Sequence, residues 1–237
     1  MVSLKSHGIL ALRAMPQSKM RAAFKHPIPT SLIGAFAYSL FNRERYEVLF
    51  EKSGKIRSRA DELRKILVSV AVCSIGGSIL YGPMFRINRL YKKRVESAIT
   101  SLPLSINYGE VDNQYRVVYI FDEERLETYS IRDLERAAWG ITRLGSRESV
   151  VSVEEVMSSS AKLINTTSTN TRFSFPLDKV KRVEGRYDVE IVVDWKVCEI
   201  GDYSRTSKIR LAYPLEKVAV EGDLDIIRVD GEEVVIL

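Results

Sequence analysis

The order in which strand-forming and helix-forming segments alternate constrains the fold of this chain more than any other feature of its sequence. Residues 4–12 end in an apolar run that predicts a first strand, and residues 29–31 start a helix of apolar and small residues that runs from Leu32 to Phe41. Residues 67–74 and 115–122 are rich in β-branched and aromatic side chains, which predict two further strands. The first half of the chain therefore has the elements of an α+β fold.

A second helix and a fourth strand complete the pattern. Ser130 and Asp133 have the spacing of a capping box, with Asp in place of the usual Glu, and they predict a short helix that runs through Trp139 and ends at Gly140. Residues 150–153 predict the next strand. The order strand, helix, strand, strand, helix, strand is that of the ferredoxin-like βαββαβ fold, which is also the frame of the RNA-recognition motif. The aromatic run of an ordinary RNA-recognition motif is absent from the sequence.

The last third of the chain is rich in strand-forming residues. Residues 187–198 predict a strand, and Asp230 followed by Gly231 is a strong signal for a two-residue hairpin turn. We therefore predict a ferredoxin-like domain over residues 1–160 and a smaller, β-rich C-terminal region over residues 161–237.

Positive charge is concentrated in the first hundred residues. That segment holds 18 Lys and Arg against 6 Asp and Glu, a net charge of +12, whereas the other 137 residues hold 18 against 25, a net charge of −7. Such a field attracts and orients a polyanion, and a nucleic-acid backbone releases condensed counterions when Lys and Arg bind it. The charge therefore favours nucleic acid as a partner, with a solvated basic surface as the alternative.

Two basic segments can supply contacts with nucleic acid. The loop before the first helix carries cations and no acid, and Thr30 or Ser31 can cap the helix that follows, so that a helix start lies beside a cationic loop. After Pro83, cations alternate with aromatic residues, which suits phosphate contacts and base stacking. The alternative is an amphipathic helix that packs Phe85 and Leu90 inward. The cations of the loop are Arg13, Lys19, Arg21, Lys25 and His26, and the second segment includes Arg86, Arg89 and Tyr91.

Cysteine usage and the distribution of apolar runs bear on the compartment. Cys73 and Cys198 lie far apart in apolar runs, which fits buried free thiols in a reducing compartment, and no Cys or His pair has metal-ligand spacing. The N-terminus has no signal-peptide pattern. Residues 66–85 carry no charge and are long enough to span a bilayer, but a strand, a Gly-Gly turn and a second strand explain them as well. A membrane-anchored basic protein is therefore an alternative.

Two motifs together resemble a known family. The residues of the first motif, a helix start after the first strand, are Pro29, Thr30, Ile33 (in place of Leu) and Gly34. The second is the Leu-Gly element at residues 144–148, which precedes a late strand. This combination resembles the fifth Cas protein family of type I CRISPR systems, a branch of the repeat-associated (RAMP) superfamily, in its archaeal I-A form. The resemblance extends over residues 1–156.

The resemblance implies a ferredoxin-like body, a protruding thumb at residues 83–110 and a β-rich C-terminal part. It implies a cytoplasmic subunit that caps one end of the Cascade complex, holds the 5′ handle of CRISPR RNA and contacts the RAMP backbone subunit and the large subunit. Target DNA is met only through the complex, and neither catalysis, a cofactor nor a metal is expected. The residues expected to contact RNA are Arg13, Lys19, Arg21, Lys25, His26, Thr30 and Ser31 near the first helix, Arg86, Arg89 and Tyr91 on the thumb, and Arg143, Gly145, Ser146 and Arg147 in the later loop.

Endoribonuclease activity is an alternative, because one branch of the same family cleaves CRISPR repeat RNA without a metal. Such cleavage needs a base that activates a 2′-hydroxyl and a cation that stabilises the developing charge. The candidates for these roles are His26, Lys25 and either Tyr38 or Tyr46.

Overall fold

The computed structural model describes residues 1–12, 23–42, 49–52, 55–75, 78–87, 99–108, 114–126, 128–146, 149–198 and 206–236. The helices are α1 (Pro29–Asn42), α2 (Ala60–Leu63) and α3 (Ile131–Trp139). The strands of the first two thirds are β1 (Val2–Ser6), β2 (Leu49–Lys52), β3 (Lys55–Ser58), β4 (Leu67–Ile75), β5 (Ser78–Ile87), β6 (Ile99–Tyr108), β7 (Gln114–Phe121) and β8 (Val151–Val156). Those of the last third are β9 (Ile164–Thr171), β10 (Phe175–Pro176), β11 (Val180–Glu184), β12 (Tyr187–Val193), β13 (Lys208–Pro214), β14 (Val218–Val229) and β15 (Glu232–Val235).

A four-stranded antiparallel sheet lies at the centre of the fold, in the order β4, β7, β1, β8. The predicted strands at residues 67–74, 115–122 and 150–153 lie mainly in β4, β7 and β8. The bounds predicted for the first strand, residues 4–12, are wrong, because β1 ends at Ser6, before the apolar run at residues 9–12 on which that prediction depended. α1 and α3 follow the first and the third strand of the sheet along the chain. Val70 and Val72 of β4 and Val117 of β7 pack in one buried cluster with Phe36 of α1 and Ala137 of α3. Alternate residues of the strands therefore bury one face of the sheet under the two helices.

The opposite face of this sheet is covered by the C-terminal region. Ala71, Cys73 and Val118, which alternate with the helix-facing residues, pack against Phe173 and Val234. RNA-recognition motifs stack bases on a sheet face that is open to solvent. In this chain the C-terminal residues occupy that face, so bases cannot stack on it.

The C-terminal region forms two further sheets. One has the order β10, β13, β12, and the other has the order β11, β14, β15, with β9 also paired to β14. The turn between β14 and β15 consists of Asp230 and Gly231, whose φ angles are +50° and +72°. Two consecutive positive φ angles are what a type I′ turn requires, so the predicted hairpin is confirmed.

A long hairpin of β5 and β6 is inserted between β4 and β7. The two strands pair continuously from Ser78 opposite Tyr108 to Ile87 opposite Ile99. The hairpin includes most of the predicted thumb at residues 83–110, but it begins earlier than predicted. Phe85 lies on β5, so the alternative of an amphipathic helix is wrong at that position.

The uncharged residues 66–85 are divided between two different strands. Their first part enters β4 and their last part enters β5, while residues 76–77 lie outside the described chain. Wherever the structure describes the chain, its helices lack the length and apolar character that crossing a bilayer requires.

The start of α3 follows the sequence pattern closely. The Asp133 amide donates to Ser130 Oγ at 3.2 Å, and the Ser130 amide donates to Asp133 Oδ2 at 3.1 Å. The predicted capping box is therefore confirmed.

The end of α3 lies in close contact with α1. A Cβ atom added to Gly140 would lie 2.0 Å from Ser39 Oγ and 3.2 Å from Ser39 Cβ. We therefore expect Gly140→Ala to lower the free energy of unfolding by about 1–3 kcal/mol, because overpacking forces neighbouring groups to shift. Urea unfolding followed by circular dichroism measures the change.

Gly34→Ala is the matched control for this prediction. The same substitution in α1 would place a Cβ more than 4 Å from every described atom other than those of its chain neighbours and of the surrounding α1 backbone, and it would remove a glycine from a helix interior. We expect it to stabilise the fold by about 0.5–1 kcal/mol. A stabilising effect of Gly140→Ala would contradict the close contact between the two helices.

Candidate nucleic-acid interface

Both ends of the basic loop lie next to the beginning of α1. The Phe24 amide donates to the Leu12 carbonyl at 2.8 Å, so the chain leaves and re-enters the described fold at one place. α1 begins at Pro29, which puts Thr30 and Ser31 inside its first turn, where both are half-buried. The prediction that one of them caps the helix is therefore wrong, but both lie beside the loop as expected.

The loop between α3 and β8 closes onto the same place. Gly145 has a φ of +77°, a conformation that favours glycine. A Cβ atom on it would lie 3.0 Å from Leu12 Cδ2, 3.5 Å from the Ala11 carbonyl oxygen and 3.6 Å from Ser31 Oγ. Gly145 therefore brings three segments into contact: the chain after β1, the first turn of α1 and its own loop.

A buried serine fixes this loop in position. The Ala11 amide donates to Ser149 Oγ at 2.7 Å, and Ser149 Oγ lies 3.3 Å from Ser146 Oγ. The Ser149 amide also donates to the Ser146 carbonyl at 3.1 Å. Sequence reasoning missed Ser149. The signal that was available is its position three residues after Ser146, a spacing that is typical of a tight turn.

The outer face of α1 continues from this contact. Ser31, Gly34 and Tyr38 are three or four residues apart and remain half-buried or exposed, so they share one face of the helix. The Arg143 guanidinium carbon lies 5.5 Å from the centroid of the Tyr38 ring, within cation–π range. We call the combined surface the α1–Gly145 surface; its residues are Ser31, Gly34, Tyr38, Arg143, Gly145 and Ser146.

Lys25 and His26, by contrast, bind the acidic C-terminal region. His26 Nε2 lies 3.0 Å from Asp188 Oδ2, and Lys25 Nζ lies 3.6 Å from Asp188 Oδ1. The Lys25 amide donates to Glu190 Oε1 at 2.9 Å. The His26 ring is only 3% exposed and stacks on Tyr213, with ring centroids 4.6 Å apart. RNA contact by these two residues stays a prediction, and for His26 it requires the ring to leave this pocket.

The environment of His26 makes the stability of the fold sensitive to pH. Burial lowers the pKa of His26, while its hydrogen bond to Asp188 opposes the shift. The folded chain therefore binds a proton on His26 less readily than the unfolded chain does. The free energy of unfolding has its full value above the ordinary histidine pKa, where His26 is neutral in both states. We expect it to decline as the pH falls below about 6.5.

Urea unfolding at several pH values measures this decline. His26→Gln is expected to reduce the slope, and a variant of the exposed His7, such as His7→Gln, serves as the histidine control. Burial also raises the pKa of Glu190, whose effect on stability has the opposite sign, because the folded chain binds this proton more readily than the unfolded chain. A decline that persists unchanged in His26→Gln would contradict this assignment.

The side chains of the remaining predicted residues are not among those that the structure describes. Arg13, Lys19, Arg21, Tyr46, Arg89, Tyr91 and Arg147 lie outside the described residues, and Arg86 is placed by its backbone on β5 alone. Of the predicted set, the structure brings together Ser31, Arg143, Gly145 and Ser146. Within the described ranges, no cluster of His, Cys, Asp and Glu has an arrangement that could hold a metal ion.

Comparison with known proteins identifies relatives over most of the chain. CRISPR-associated protein Cas5 3 of Saccharolobus solfataricus is 30% identical over 202 residues, which cover 82% of this chain and 78% of the relative. CRISPR system aCascade subunit Cas5 1 of the same organism is 29% identical over 201 residues, with the same coverage of both chains. No family model matches the chain.

Solved structures share the fold as well. A CRISPR protein from Archaeoglobus fulgidus superimposes with a TM-score of 0.64 at 21% identity, covering 99% of this chain and 96% of that protein. This likeness includes the C-terminal region, which lies beyond residues 1–156, where the two sequence motifs resemble the family. On the sequence relationship, the chain belongs to the CRISPR-associated Cas5 family.

Proposed function

We propose that this chain is a non-catalytic RNA-binding subunit of an archaeal type I-A Cascade complex. In this role it holds the 5′ handle of CRISPR RNA and caps the backbone filament during antiviral defence. Its partners are the RAMP backbone subunit and the large subunit, target DNA is met only through the complex, and the setting is the cytoplasm. A Saccharolobus relative that carries the name aCascade subunit supports the assignment to such a complex.

The observation that carries the RNA-binding role is the meeting of three segments at Gly145. The ends of the basic loop, the first turn of α1 and the Gly145 loop lie within a few ångströms of one another. The segment between Leu12 and Ala23 begins and ends at this place in the fold, and it carries Arg13, Lys19 and Arg21. The positive end of the α1 dipole and the neighbouring cations both favour phosphate.

Gly34 provides separate support for a ligand on α1. A glycine in a helix interior costs about 0.5–1 kcal/mol relative to alanine. Close packing against the described residues does not explain it, because a Cβ there would meet none of their atoms within 4 Å. A surface without a side chain at this point allows an RNA backbone to lie directly on the helix.

The strand order supports a ferredoxin-like domain as the scaffold of this site. The order β4, β7, β1, β8, with all neighbours antiparallel and a helix after the first and third strands, is the arrangement that a βαββαβ domain has. Because the sheet face away from the helices is covered, we place the RNA at the start of α1 and not on the sheet.

RNA binding as a function of salt tests this proposal. The affinity for a single-stranded RNA that begins with a repeat-derived 5′ end is expected to fall as salt rises, with a logarithmic slope of about −0.7 per neutralised phosphate. Arg143→Ala should weaken binding, and it should reduce the magnitude of the slope by about 1. Arg182→Ala is the control, because Arg182 lies on β11 and pairs with Glu184 at 2.6 Å. Affinity that does not depend on salt, alone or with a backbone subunit, would contradict the proposal.

The endoribonuclease alternative depends on His26, Lys25 and a tyrosine. No contact that the structure describes favours it, because the His26 ring is buried against Asp188 and Tyr213. Incubation of repeat RNA with the pure protein in EDTA distinguishes the two functions. A discrete product that disappears in His26→Ala would favour the nuclease.

A further inference from the structure

A group of arginines on α3 and the following loop has no acidic partner among the residues that the structure describes. Most arginines that the structure describes lie within 4.0 Å of a carboxylate; these are Arg59, Arg64, Arg125, Arg182, Arg186, Arg210 and Arg228. Among the same described residues, Arg116, Arg132, Arg136, Arg143 and Arg172 have no ion pair, and three of these five lie within residues 132–143. The same stretch also holds Asp133 and Glu135, so residues 132–143 have a net charge of +1, but their three guanidiniums are not held by a carboxylate of the described residues.

An exposed tryptophan lies on the same face of α3. Arg132, Arg136 and Trp139 are spaced four and three residues apart, which places them side by side on the helix surface. The Trp139 side chain is 53% exposed, whereas Trp195 is 1% exposed and lies in the main core. An exposed indole between cations is typical of surfaces that stack nucleic-acid bases.

The end of this face lies near the α1–Gly145 surface. Gly140 follows Trp139 and touches Ser39, which is the neighbour of Tyr38. Arg143 in turn lies over the Tyr38 ring. The end of α3, where Trp139 lies, is therefore close to the part of α1 that carries Tyr38 and Arg143.

We propose that the outer face of α3 is a second contact surface for single-stranded RNA, in which Trp139 stacks on a base and Arg132 and Arg136 bind the flanking phosphates. This inference rests on the proposed function, because the same RNA strand would continue from the α1–Gly145 surface. It assigns to α3 an RNA contact in addition to those expected from the sequence, which names Trp139 only as the end of a helix.

The arrangement favours RNA over a protein segment as the occupant. The three guanidiniums match a chain that carries one negative charge at every residue, whereas a protein would need a run of acids with matching spacing. The proximity of Trp139 to Tyr38 and Arg143 also allows one RNA strand to reach both surfaces. The experiment must distinguish RNA binding from the docking of an acidic segment of a neighbouring protein subunit.

Intrinsic fluorescence and affinity together test the proposal. The probe is a synthetic single-stranded RNA without self-complementarity, titrated into the full chain. RNA is expected to quench tryptophan fluorescence in the wild type, and Trp139→Phe is expected to abolish that quenching while it keeps most of the affinity. Trp139→Ala should raise Kd about 5- to 150-fold, as loss of one base stack does. Arg136→Ala should raise Kd and reduce the salt slope by about 1.

The outcomes separate this inference from the proposed function. If Arg143→Ala weakens RNA binding but Trp139→Ala and Arg136→Ala do not, the α3 surface is not an RNA contact, although the proposed function stands. If Trp139→Ala keeps RNA affinity but loses a Cascade subunit in co-purification, the face binds protein and the inference is wrong. If the wild type shows no salt-dependent RNA affinity at all, both proposals fail. Leu163→Ala, which removes another exposed apolar side chain, is the control and should change nothing.

Discussion

Gly145→Ala is expected to weaken RNA binding by about tenfold or more, the equivalent of 1.4 kcal/mol, and to destabilise the fold as well. Gly145 has a φ of +77°, and a side chain in the left-handed region costs about 1–2 kcal/mol. Its new Cβ would also press on Leu12 Cδ2 at 3.0 Å, close to Ser31. The loop would move away from α1 and carry Arg143 with it. Fluorescence anisotropy with labelled RNA measures the loss of affinity.

Gly231→Ala is the matched control for Gly145→Ala. Gly231 has a similar φ of +72°, but a Cβ there would meet no described atom within 4 Å, and it lies in the β14–β15 turn. Both variants should lose stability for the same backbone reason. RNA affinity should fall in Gly145→Ala alone. Equal loss of RNA affinity in the two variants would show that lowered stability, and not the α1–Gly145 surface, causes the effect.

Phe173→Ala is expected to lower the free energy of unfolding by about 3–5 kcal/mol, the usual cost of removing a buried aromatic ring. The Phe173 ring is 1% exposed and packs against Ala71, Cys73 and Val118 of the central sheet. Its loss leaves a cavity between the central sheet and the C-terminal region. Because the two regions share this core, we expect one cooperative transition in urea, shifted to lower concentration.

Leu163→Ala again provides the control, because its side chain is 63% exposed and the change should lie within about 0.5 kcal/mol of the wild type. Two separate transitions in urea would contradict the expectation of one cooperative unit. If Phe173→Ala lowered only one of them, the C-terminal region would be a domain that folds by itself, and the shared core would contribute little to stability.

The central sheet could be predicted because its signals are local. Alternating apolar residues define β4 and β7, the Ser130–Asp133 spacing defines the start of α3, and Asp230-Gly231 defines the last hairpin. Each of these depends on a few neighbouring residues and on backbone geometry. The start of α1 was correct to within one turn, but Pro29 takes the first helical position, which displaces Thr30 and Ser31 from the cap.

The contacts of Lys25 and His26 could not be predicted in the same way. Asp188 and Glu190 lie more than 160 positions further along the chain, and only the packing of β12 beside the loop brings them to these cations. The charge count treated all cations of the first hundred residues as one surface. The structure shows that the count misleads in two ways. Lys25 and His26, which belong to that segment, bind acids. Arg132, Arg136 and Arg143, which lie outside it, have no acidic partner among the described residues.

Photo-crosslinking of RNA to the intact chain, followed by mass spectrometry of the attached peptides, locates the RNA on the protein. With a photoreactive nucleotide in the 5′ handle, we expect crosslinks to the peptides that contain residues 13–22, Ser31–Tyr38 and Arg143–Ser146. All three should be lost together in Gly145→Ala. Crosslinks confined to the C-terminal strands β9–β15 would contradict the proposal that the start of α1 and the Gly145 loop form one RNA site.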